Sequence, residues 1–369
     1  MTTWITAVTT ADARFDLPPG AGTDAMHRNP QYSFATTLLQ AGELTGTGIV
    51  LTLGRGNDLV CQAIEYLGAG LVGRDIEEVM ATFGDRFHEM ASDPQLRWLG
   101  PDKGVVHLAL ASITNALFDL WAKSRAIPLW KLLIDLTPAQ TVALLDFTYL
   151  EDVLTPRQAL DLLQDEATYA ANRLPILQHG YPGYDTSVGW FQYSDDQLRE
   201  KVKEALAEGF GALKLKVGSD DPSRDIRRAH LLRDLAGAEI PIMLDANQRW
   251  SLPEAIAICP ELGTMRPFWI EEPTHPDDVV GHATLAKHIA PLRIAGGEHV
   301  PNRVAFKNYL QLNAAEFIQV DCTRVGGVSE FITISLLARK FGKPVVPHVG
   351  DMGQIHQHLV LFNHIALGH

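Results

Sequence analysis

The sequence predicts an α/β protein in which a modified (β/α)8, TIM-like barrel follows an N-terminal α+β capping domain. The first observation is a series of short apolar segments that each end in a lysine, an acid or a histidine. These end residues are 29, 26, 27, 23 and 27 positions apart, and they are Lys216, Asp245, Glu271, Glu298, Asp321 and His348. A strand, a helix and two short loops occupy about this length in a βα unit. A chemically potent residue at the carboxyl end of strand after strand is typical of a barrel active site.

Length is the second observation, because 369 residues exceed one usual domain and leave room for a barrel and one smaller domain. The third is that residues 1–140 lack the barrel spacing, so we place the capping domain there and the barrel at 141–369. Residues 32–39 and 48–53 predict an antiparallel strand pair joined by a turn at 42–48. Helices are expected at 58–67, 75–90 and 104–122, and the last of them should be buried.

Residues 141–180 do not predict a complete barrel unit. They predict a strand at 144–149 and a capped helix at 155–171, within a bridge or an insertion. Residues 184–190 resemble the first barrel strand, and 196–208 predict the helix that follows it.

Composition argues against several classes of function. The net charge, 31 − 44 = −13, leaves no basic surface of the kind that binds nucleic acid. The three cysteines, Cys61, Cys259 and Cys322, are far apart and fit a reducing cytoplasm better than a disulfide framework or a zinc motif. Neither a signal peptide nor an apolar run of membrane-spanning length is expected. We therefore expect a cytoplasmic protein without a nucleic-acid or membrane partner.

Lys214 and Lys216 lie in the apolar segment 211–218, which predicts a buried strand between glycines. Residues two apart in a strand point to the same side, so both ammonium groups leave one face together. A solvent-facing edge strand is the simpler explanation of an isolated Lys-x-Lys pair. The acids that end the following strands favour a functional lysine pair instead.

Asp245, Glu271 and Glu298 end three successive predicted strands, so their carboxylates should converge at the barrel mouth. Converging carboxylates repel and raise one another's pKa unless a cation neutralises them. An all-oxygen ligand set that leaves room for water and substrate suits Mg²⁺. Each acid alone would more simply be a surface ion pair or a helix cap. Asn247, two residues beyond Asp245, lies on the same face and is expected to orient a ligand or substrate.

Asp321 and His348 end the next two strands. A carboxylate that accepts a hydrogen bond from a histidine fixes its tautomer and prepares it for proton transfer. A lone histidine after Pro347 would more often be structural, but the preceding acid makes His348 a candidate catalyst. Four other histidines lack such a pairing and are expected to be bystanders: His299, His356, His358 and His364.

Two glycine-rich polar loops, 22–27 and 54–58, precede the barrel. Such loops are usually simple turns, but loops that cap a barrel mouth commonly select the substrate. Asp24 and Arg55 are therefore candidate substrate-binding residues.

The motifs in this order resemble the mandelate racemase subgroup of the enolase superfamily. They are Lys-Leu-Lys, Leu-Asp-Ala-Asn-Gln, Trp-Ile-Glu-Glu-Pro-Thr, Gly-Glu-His, Gln-Val-Asp-Cys-Thr-Arg-Val-Gly-Gly and Pro-His. More narrowly, Gly-Thr-Asp-Ala-Met, Gly-Arg-Gly-Asn-Asp, Thr-Ser-Val-Gly-Trp and Asp-Ala-Asn-Gln-Arg-Trp are similar to motifs of the L-fuconate dehydratases. The resemblance spans residues from about 22 to 348.

The resemblance implies one Mg²⁺ and the dehydration of a sugar acid to a 2-keto-3-deoxy acid. It implies Asp245, Glu271 and Glu298 as metal ligands, Lys216 as the base and Lys214 as its electrostatic partner. Lys216 would act with a pKa lowered by Lys214 and the cation. Asp321 and His348 would form the acid dyad, and Trp190 would join Asn247, Asp24 and Arg55 in binding substrate. Homo-oligomers are common in this family, so self-association is expected.

The family continues well past its catalytic histidine into an eighth strand, whereas this sequence stops at His369. We therefore expect a barrel whose last strand is not complete, either through truncation or through loss of a strand. Three other functions stay open. They are dehydration of L-galactonate or a related acid sugar, racemisation or epimerisation by the same Lys/His pair, and binding of sugar acids without turnover.

Overall fold

The computed structural model describes residues 2–348 and 353–369. Its N-terminal sheet is antiparallel with the order β1-β2-β3 (Ala7–Phe15, Tyr32–Ala41 and Leu44–Thr52). The predicted strand pair is confirmed, but the strands are longer and leave only residues 42 and 43 for the turn. Strand β1 was not predicted; its apolar residues are mostly alanine, and none of its residues is buried.

Each helix predicted in the N-terminal region is present, but one is broken, and two short helices at Leu129–Asp135 and Pro138–Ala143 were not predicted. The predicted helix at 75–90 is two helices that meet at Thr82, and Asp75 caps the first by accepting hydrogen bonds from Glu77 N and Glu78 N. Short 3₁₀ turns lie at Ala69–Leu71 and Arg97–Leu99. The α-helices are α1 Asn57–Gly68, α2 Ile76–Ala81, α3 Phe83–Ala91, α4 Gly104–Ser124, α5 Leu129–Asp135 and α6 Pro138–Ala143.

Helix α4 is the core helix of this region. A Cβ atom added to Gly48 of β3 would lie 1.9 Å from Ser112 O, so glycine is needed for the close packing of β3 on α4. Among the described residues, α4 is also long and apolar enough to cross a membrane by length and composition alone. The expectation that no apolar run reaches that length was therefore wrong. Most of α4 is buried within the protein, as expected for a core helix.

Between the two regions the chain is mainly helical. Helix α7 (Pro156–Ala167) begins with a capping box formed by Thr155 and Gln158, as predicted, and α8 (Ala170–Arg173) and α9 (Ile176–His179) follow. The strand predicted at 144–149 is wrong. Residues 145–147 have no regular secondary structure, and Asp146 accepts a hydrogen bond from Thr148 N and pairs with Arg303 instead.

The second sheet is the parallel sheet of the barrel, with the order β4 to β9 and neighbours adjacent along the chain. Each strand lies where the sequence predicted one. The strands are β4 Asp185–Gly189, β5 Leu213–Lys216, β6 Ile242–Asp245, β7 Trp269–Glu271, β8 Ile294–Gly296 and β9 Phe317–Ile318. The helices after them are α10 Asp195–Ala207, α11 Pro222–Ala236, α12 Leu252–Gly263, α13 Val279–Ile289, α14 Arg303–Gln311 and α15 Val328–Lys340.

A seventh position in the sheet is an isolated parallel bridge between Ile318 and Val345. Helix α16 (Ile355–Phe362) and a π-helical turn (Asn363–Leu367) then end the chain. The described residues after Val345 contain no further strand, and residues 349–352 lie outside the described part. The division of the chain at about residue 140 stays a prediction.

The interior of the barrel is filled below its carboxyl end by a separate apolar cluster of Met243, Trp269, Ala295 and Phe317. The rings of Trp269 and Phe317 lie 5.0 Å apart between centroids. This packed layer fills the barrel interior. The polar groups at the carboxyl ends of the strands therefore lie directly above apolar side chains.

A buried ionic network joins the N-terminal region to the barrel helices. Arg303 of α14 contacts Asp146 at 2.8 Å, Glu330 of α15 at 3.0 Å and Asp102 at 3.4 Å. His107 of α4 contacts the second oxygen of Glu330 at 2.9 Å. Because all of these groups except Asp102 are almost wholly buried, the network fixes the position of the N-terminal region relative to the barrel.

Replacing Arg303 with methionine is expected to lower the free energy of unfolding by about 3–5 kcal/mol, because it leaves buried carboxylates without a partner. The measurement is the shift of the urea midpoint followed by circular dichroism. Arg227→Met is the matched control, since Arg227 is 61% exposed and its pair with Asp195 is 3.8 Å long. Equal midpoints for both variants would contradict the role of the network.

Candidate active site

The parallel register aligns the ends of three strands at one edge of the barrel. Lys216 pairs with Asp245, and Asp245 pairs with Glu271, so these residues lie side by side across β5, β6 and β7. A Cβ atom on Gly189 would lie 2.6 Å from Lys214 O, so glycine lets β4 approach the lysine strand closely. The predicted buried strand with both lysines on one face is thus present.

Each lysine is paired with an acid of the neighbouring strands. Lys216 Nζ donates to Asp245 Oδ2 at 2.5 Å, and Lys214 Nζ donates to Glu271 Oε1 at 2.7 Å and lies 3.5 Å from Asp245 Oδ2. The other oxygen of Glu271 accepts from Trp269 Nε1 at 3.1 Å. These bonds hold the two carboxylates in place at the barrel mouth.

Glu298 completes a carboxylate triad with Asp245 and Glu271. One oxygen from each of the three lies within 4.8 Å of the others, and all three residues are buried. Glu298 Oε2 has no hydrogen-bond partner, although His348 Nε2 lies 3.4 Å away. A buried carboxylate oxygen without a hydrogen bond is costly unless it has a ligand. The three acids therefore fit a hard divalent cation.

The protein groups alone hold both lysines in the charged form. Burial by itself would lower the pKa of Lys216, but the neighbouring carboxylates, Asp245 foremost, together outweigh it and raise that pKa above its ordinary value. Burial also lowers the pKa of Lys214, whereas Glu271 raises it. The net result is again a raised pKa. A lowered Lys216 pKa was expected, but the protein groups without a metal ion raise it instead. A divalent ion on the same carboxylates acts in the opposite direction, since it competes for their negative charge.

Asp321 and His348 form the expected pair, with His348 Nδ1 2.9 Å from Asp321 Oδ2. The other oxygen of Asp321 accepts from Thr323 N and Thr323 Oγ1, each at 2.7 Å. Burial alone would raise the pKa of Asp321, but His356 and His348 outweigh it and hold that pKa well below its usual range. Asp321 is therefore a charged acceptor that orients the His348 ring.

Two histidines expected to be bystanders are not. His356 Nε2 lies 3.2 Å from Asp321 Oδ1, and His299 Nδ1 lies 3.1 Å from both oxygens of Glu272. Sequence reasoning considered pairs only between neighbouring strand ends. It missed His356 because this residue comes from the helix after the last predicted strand.

The candidate site opens into a cavity of about 1010 Å³. Asn247 lines it with a buried Oδ1 that has no partner, and Trp190 lines it with its ring 5.8 Å from Lys216 Nζ. Asp24 also lines it, and its carboxylate accepts from Met26 N at 2.8 Å and from His27 N at 2.6 Å. Arg55 is solvent-exposed and does not line this cavity, so the structure does not bring it to the other candidates.

The loop 22–27 is fixed to the barrel by direct contacts. Phe191 N donates to Thr23 O at 3.0 Å, and a Cβ atom on Gly218, which has a φ of +99°, would lie 2.8 Å from Ala25 Cβ. Since Gly218 follows the lysine strand closely, the loop packs against the carboxyl end of that strand. This places Asp24 over the site.

The cavity wall includes polar side chains that sequence reasoning missed. His27 Nδ1 lies 2.9 Å from Asp24 Oδ2, and Tyr184 lies below Lys214 with its ring centroid 5.4 Å from Nζ. Arg324 lines the cavity with a buried Nε that has no partner. The signal for His27 and Arg324 was present, because both belong to motifs that were already singled out.

The fold and the site together define a metal-dependent barrel enzyme. Residues 197–367 match a family model described as "Enolase C-terminal domain-like". Mitochondrial enolase superfamily member 1 of Homo sapiens is 43% identical over 372 aligned positions, which cover 98% of this chain and 84% of that protein. L-galactonate dehydratase of Hypocrea jecorina is 38% identical over 373 positions, which cover 98% and 83%. The chain therefore belongs to the enolase superfamily.

Solved structures agree with this assignment. The crystal structure of human Mitochondrial enolase superfamily member 1 superposes with a TM-score of 0.95 at 42% identity and covers 99% of this chain and 85% of that one. L-talarate/galactarate dehydratase from Salmonella typhimurium LT2, liganded with Mg and L-lyxarohydroxamate, has a TM-score of 0.74 at 25% identity, with coverages of 98% and 80%. The predicted superfamily and fold class are thus confirmed.

The expectation of Mg²⁺ as the cofactor is also confirmed. Besides the Salmonella enzyme, a racemase from Streptomyces coelicolor A3(2) was crystallised with bound magnesium, at a TM-score of 0.77, 25% identity, and coverages of 97% and 86%. In this chain the donor set fits that ion, because the three buried carboxylates converge and Glu298 Oε2 has no hydrogen bond.

Replacing Glu298 with glutamine is expected to weaken Mg²⁺ binding, because it removes one of three charges. Substitutions outside the ligand set already cost about 10–100-fold in metal affinity, so a lost ligand charge should cost at least as much. The measurement is the rise of the melting temperature during Mg²⁺ titration of the metal-free protein, since Mg²⁺ at 100 times its Kd stabilises by about 2.7 kcal/mol. Glu239→Gln, on the exposed surface, is the control. Unchanged Mg²⁺ dependence in Glu298→Gln would refute this ligand.

Proposed function

We propose that this enzyme is a hydro-lyase that dehydrates an acid sugar to a 2-keto-3-deoxy acid in a Mg²⁺-dependent reaction. The observation that supports it most is the placement of two proton-transfer groups on different members of the carboxylate triad. Lys216 contacts Asp245, and His348 contacts Glu298. A substrate bound over the triad would thus have a basic group from β5 on one side and one from the segment after the Val345 bridge on the other.

In this proposal Lys216 Nζ removes the proton from the carbon next to the substrate carboxylate. When bound, Mg²⁺ supplies positive charge at that carboxylate. Lys214 adds a second cation beside it and keeps its own proton through Glu271. His348, oriented by Asp321, delivers a proton from Nε2 to the departing 3-hydroxyl group. The enol that results then tautomerises to the 2-keto-3-deoxy acid.

The substrate class we propose is an aldonate with the configuration shared by L-galactonate and L-fuconate, which differ only in the 6-hydroxyl group. L-galactonate is the substrate named for the Hypocrea jecorina relative, and the loop motifs resemble those of L-fuconate dehydratases. In the cavity wall, Asn247 Oδ1 and Arg324 Nε are polar atoms without partners. They are the groups we expect to contact the substrate's hydroxyl groups, together with Asp24.

The experiment that tests the proposal is a screen of an acid-sugar library with Mg²⁺, with product detected as the keto acid. Turnover of L-galactonate or L-fuconate is the expected result, and the ratio of their kcat/KM values decides between them. A pocket that hydrogen-bonds the 6-hydroxyl should reject L-fuconate strongly, whereas an apolar pocket discriminates by only about 10–200-fold. Absence of keto acid from every member of the library would overturn the proposal.

Racemisation or epimerisation by the same Lys216–His348 pair is the second candidate, because the two groups lie at the same triad. Incubation in deuterated water separates the two functions, since exchange at the α-carbon without keto-acid formation indicates racemisation. Binding without turnover would appear in calorimetry as Mg²⁺-dependent heat without product. The cytoplasmic location and the homo-oligomer stay predictions.

A further inference from the structure

His356 contacts the Asp321–His348 pair from the side opposite His348. Asp321 Oδ2 bonds His348 Nδ1 at 2.9 Å, whereas Asp321 Oδ1 faces His356 Nε2 at 3.2 Å. Thr323 donates to the same Oδ1 through its amide and its hydroxyl group. Both oxygens of the carboxylate therefore have partners, and His356 contacts the oxygen that His348 does not.

The His356 ring is itself held firmly. It is fully buried, its Nδ1 lies 3.0 Å from Gly353 O, and its Nε2 lies 2.9 Å from Cys322 N. Its ring packs against Phe331 of α15, with centroids 6.0 Å apart. Such a ring loses little freedom on contacting Asp321, so it can position the carboxylate.

The hydrogen bonds of His356 Nε2 depend on which ring nitrogen carries a proton. A neutral ring with its proton on Nδ1 donates to Gly353 O and accepts from Cys322 N. A ring with a proton on Nε2 donates to Asp321 Oδ1. In both states the imidazole fills the space beside Oδ1 and excludes water from the carboxylate.

We propose that His356 is a positioning residue that holds the Asp321 carboxylate and thereby the orientation of His348. It acts on proton delivery by His348 and not on proton removal by Lys216, since it contacts neither lysine nor the carboxylate triad. This inference rests on the proposed dehydration. It also implies that α16, which supplies His356, helps to orient His348 as the proton donor.

The test compares His356→Leu, which removes both ring nitrogens, with His356→Gln, whose amide can donate to Asp321 Oδ1. Loss of the outer partner of a metal-ligating histidine commonly costs about 10–100-fold, and we expect the same order for the partner of Asp321. We expect His356→Leu to lower kcat for dehydration by about that factor, with KM and Lys216-dependent α-proton exchange unchanged. His356→Gln should recover most of the loss. His358→Leu, on the same helix and without a contact to Asp321, is the control and should match the wild type.

A purely structural role would lower exchange and dehydration together and would overturn the inference. Wild-type dehydration rates in His356→Leu would overturn it as well. If the wild type itself converts no acid sugar, the proposed function fails, and the inference is then decided without activity. In protein with ¹⁵N-labelled histidine, the ring signals of His348, assigned by their absence from His348→Asn, should shift in His356→Leu and return in His356→Gln. Unshifted signals in His356→Leu would refute the role of His356.

Discussion

Replacing Lys216 with alanine is expected to abolish measurable dehydration and, with it, exchange of the substrate α-proton in deuterated water. The reason is that Lys216 Nζ is the proposed base, bound at 2.5 Å to a carboxylate of the triad. General base catalysis contributes about 10²–10⁴-fold, so kcat should fall by at least that factor. The measurement is keto-acid formation and deuterium incorporation on the same substrate, with Mg²⁺ present.

Lys203→Ala is the matched control, because Lys203 is exposed on α10 and should leave both rates unchanged. Removal of Lys216 also leaves the buried Asp245 without its nearest cation. Circular dichroism of the Mg²⁺-bound variant must therefore show a native spectrum before the rates are compared. Dehydration near the wild-type rate in Lys216→Ala would remove this residue from the mechanism.

His348→Asn is expected to separate the two proton transfers. Loss of the imidazole that protonates the departing hydroxyl group should lower dehydration by about 10²–10⁴-fold. Exchange of the α-proton should persist, because Lys216 and the carboxylate triad are unchanged. The measurement is the ratio of deuterium incorporation to keto-acid formation, which should rise steeply.

The control for this variant is His288→Asn, since His288 lies exposed on α13 and its Nδ1 lies 2.8 Å from Thr284 O of the same helix. If His348→Asn lost exchange and dehydration to the same extent, His348 would not be the acid of a separate step. If it retained both, the Asp321–His348 pair would have another role.

Most of the barrel was predictable because its evidence is local and repeated. Each of the strands β5 to β8 is short and has a charged residue at or just after its carboxyl end, and the intervals between them have the length of a βα unit. The N-terminal region was less predictable. Strand β1 has no buried residue, and the predicted helix at 75–90 is interrupted at Thr82. Strands β2 and β3 and helices α1 to α3 pack on α4, and this packing depends on contacts distant in sequence.

The error at 144–149 has the same origin. The apolar residues around Asp146 suggest a strand, but the Asp146 carboxylate is used by Arg303, more than 150 residues away in sequence. A buried ion pair of this kind outweighs a local strand preference, and no local pattern predicts it.

The candidate site also has features that the sequence predicted and features that only the tertiary structure shows. Sequence by itself determined the identity and order of the residues at the strand ends, because parallel strands place their carboxyl ends at one edge and a regular spacing reveals them. Only the tertiary structure decided which lysine contacts which acid, that Arg55 stays outside the cavity, and that His356 reaches Asp321. Those outcomes depend on distances between side chains from separate elements, and such distances follow from packing, which no single stretch of sequence encodes.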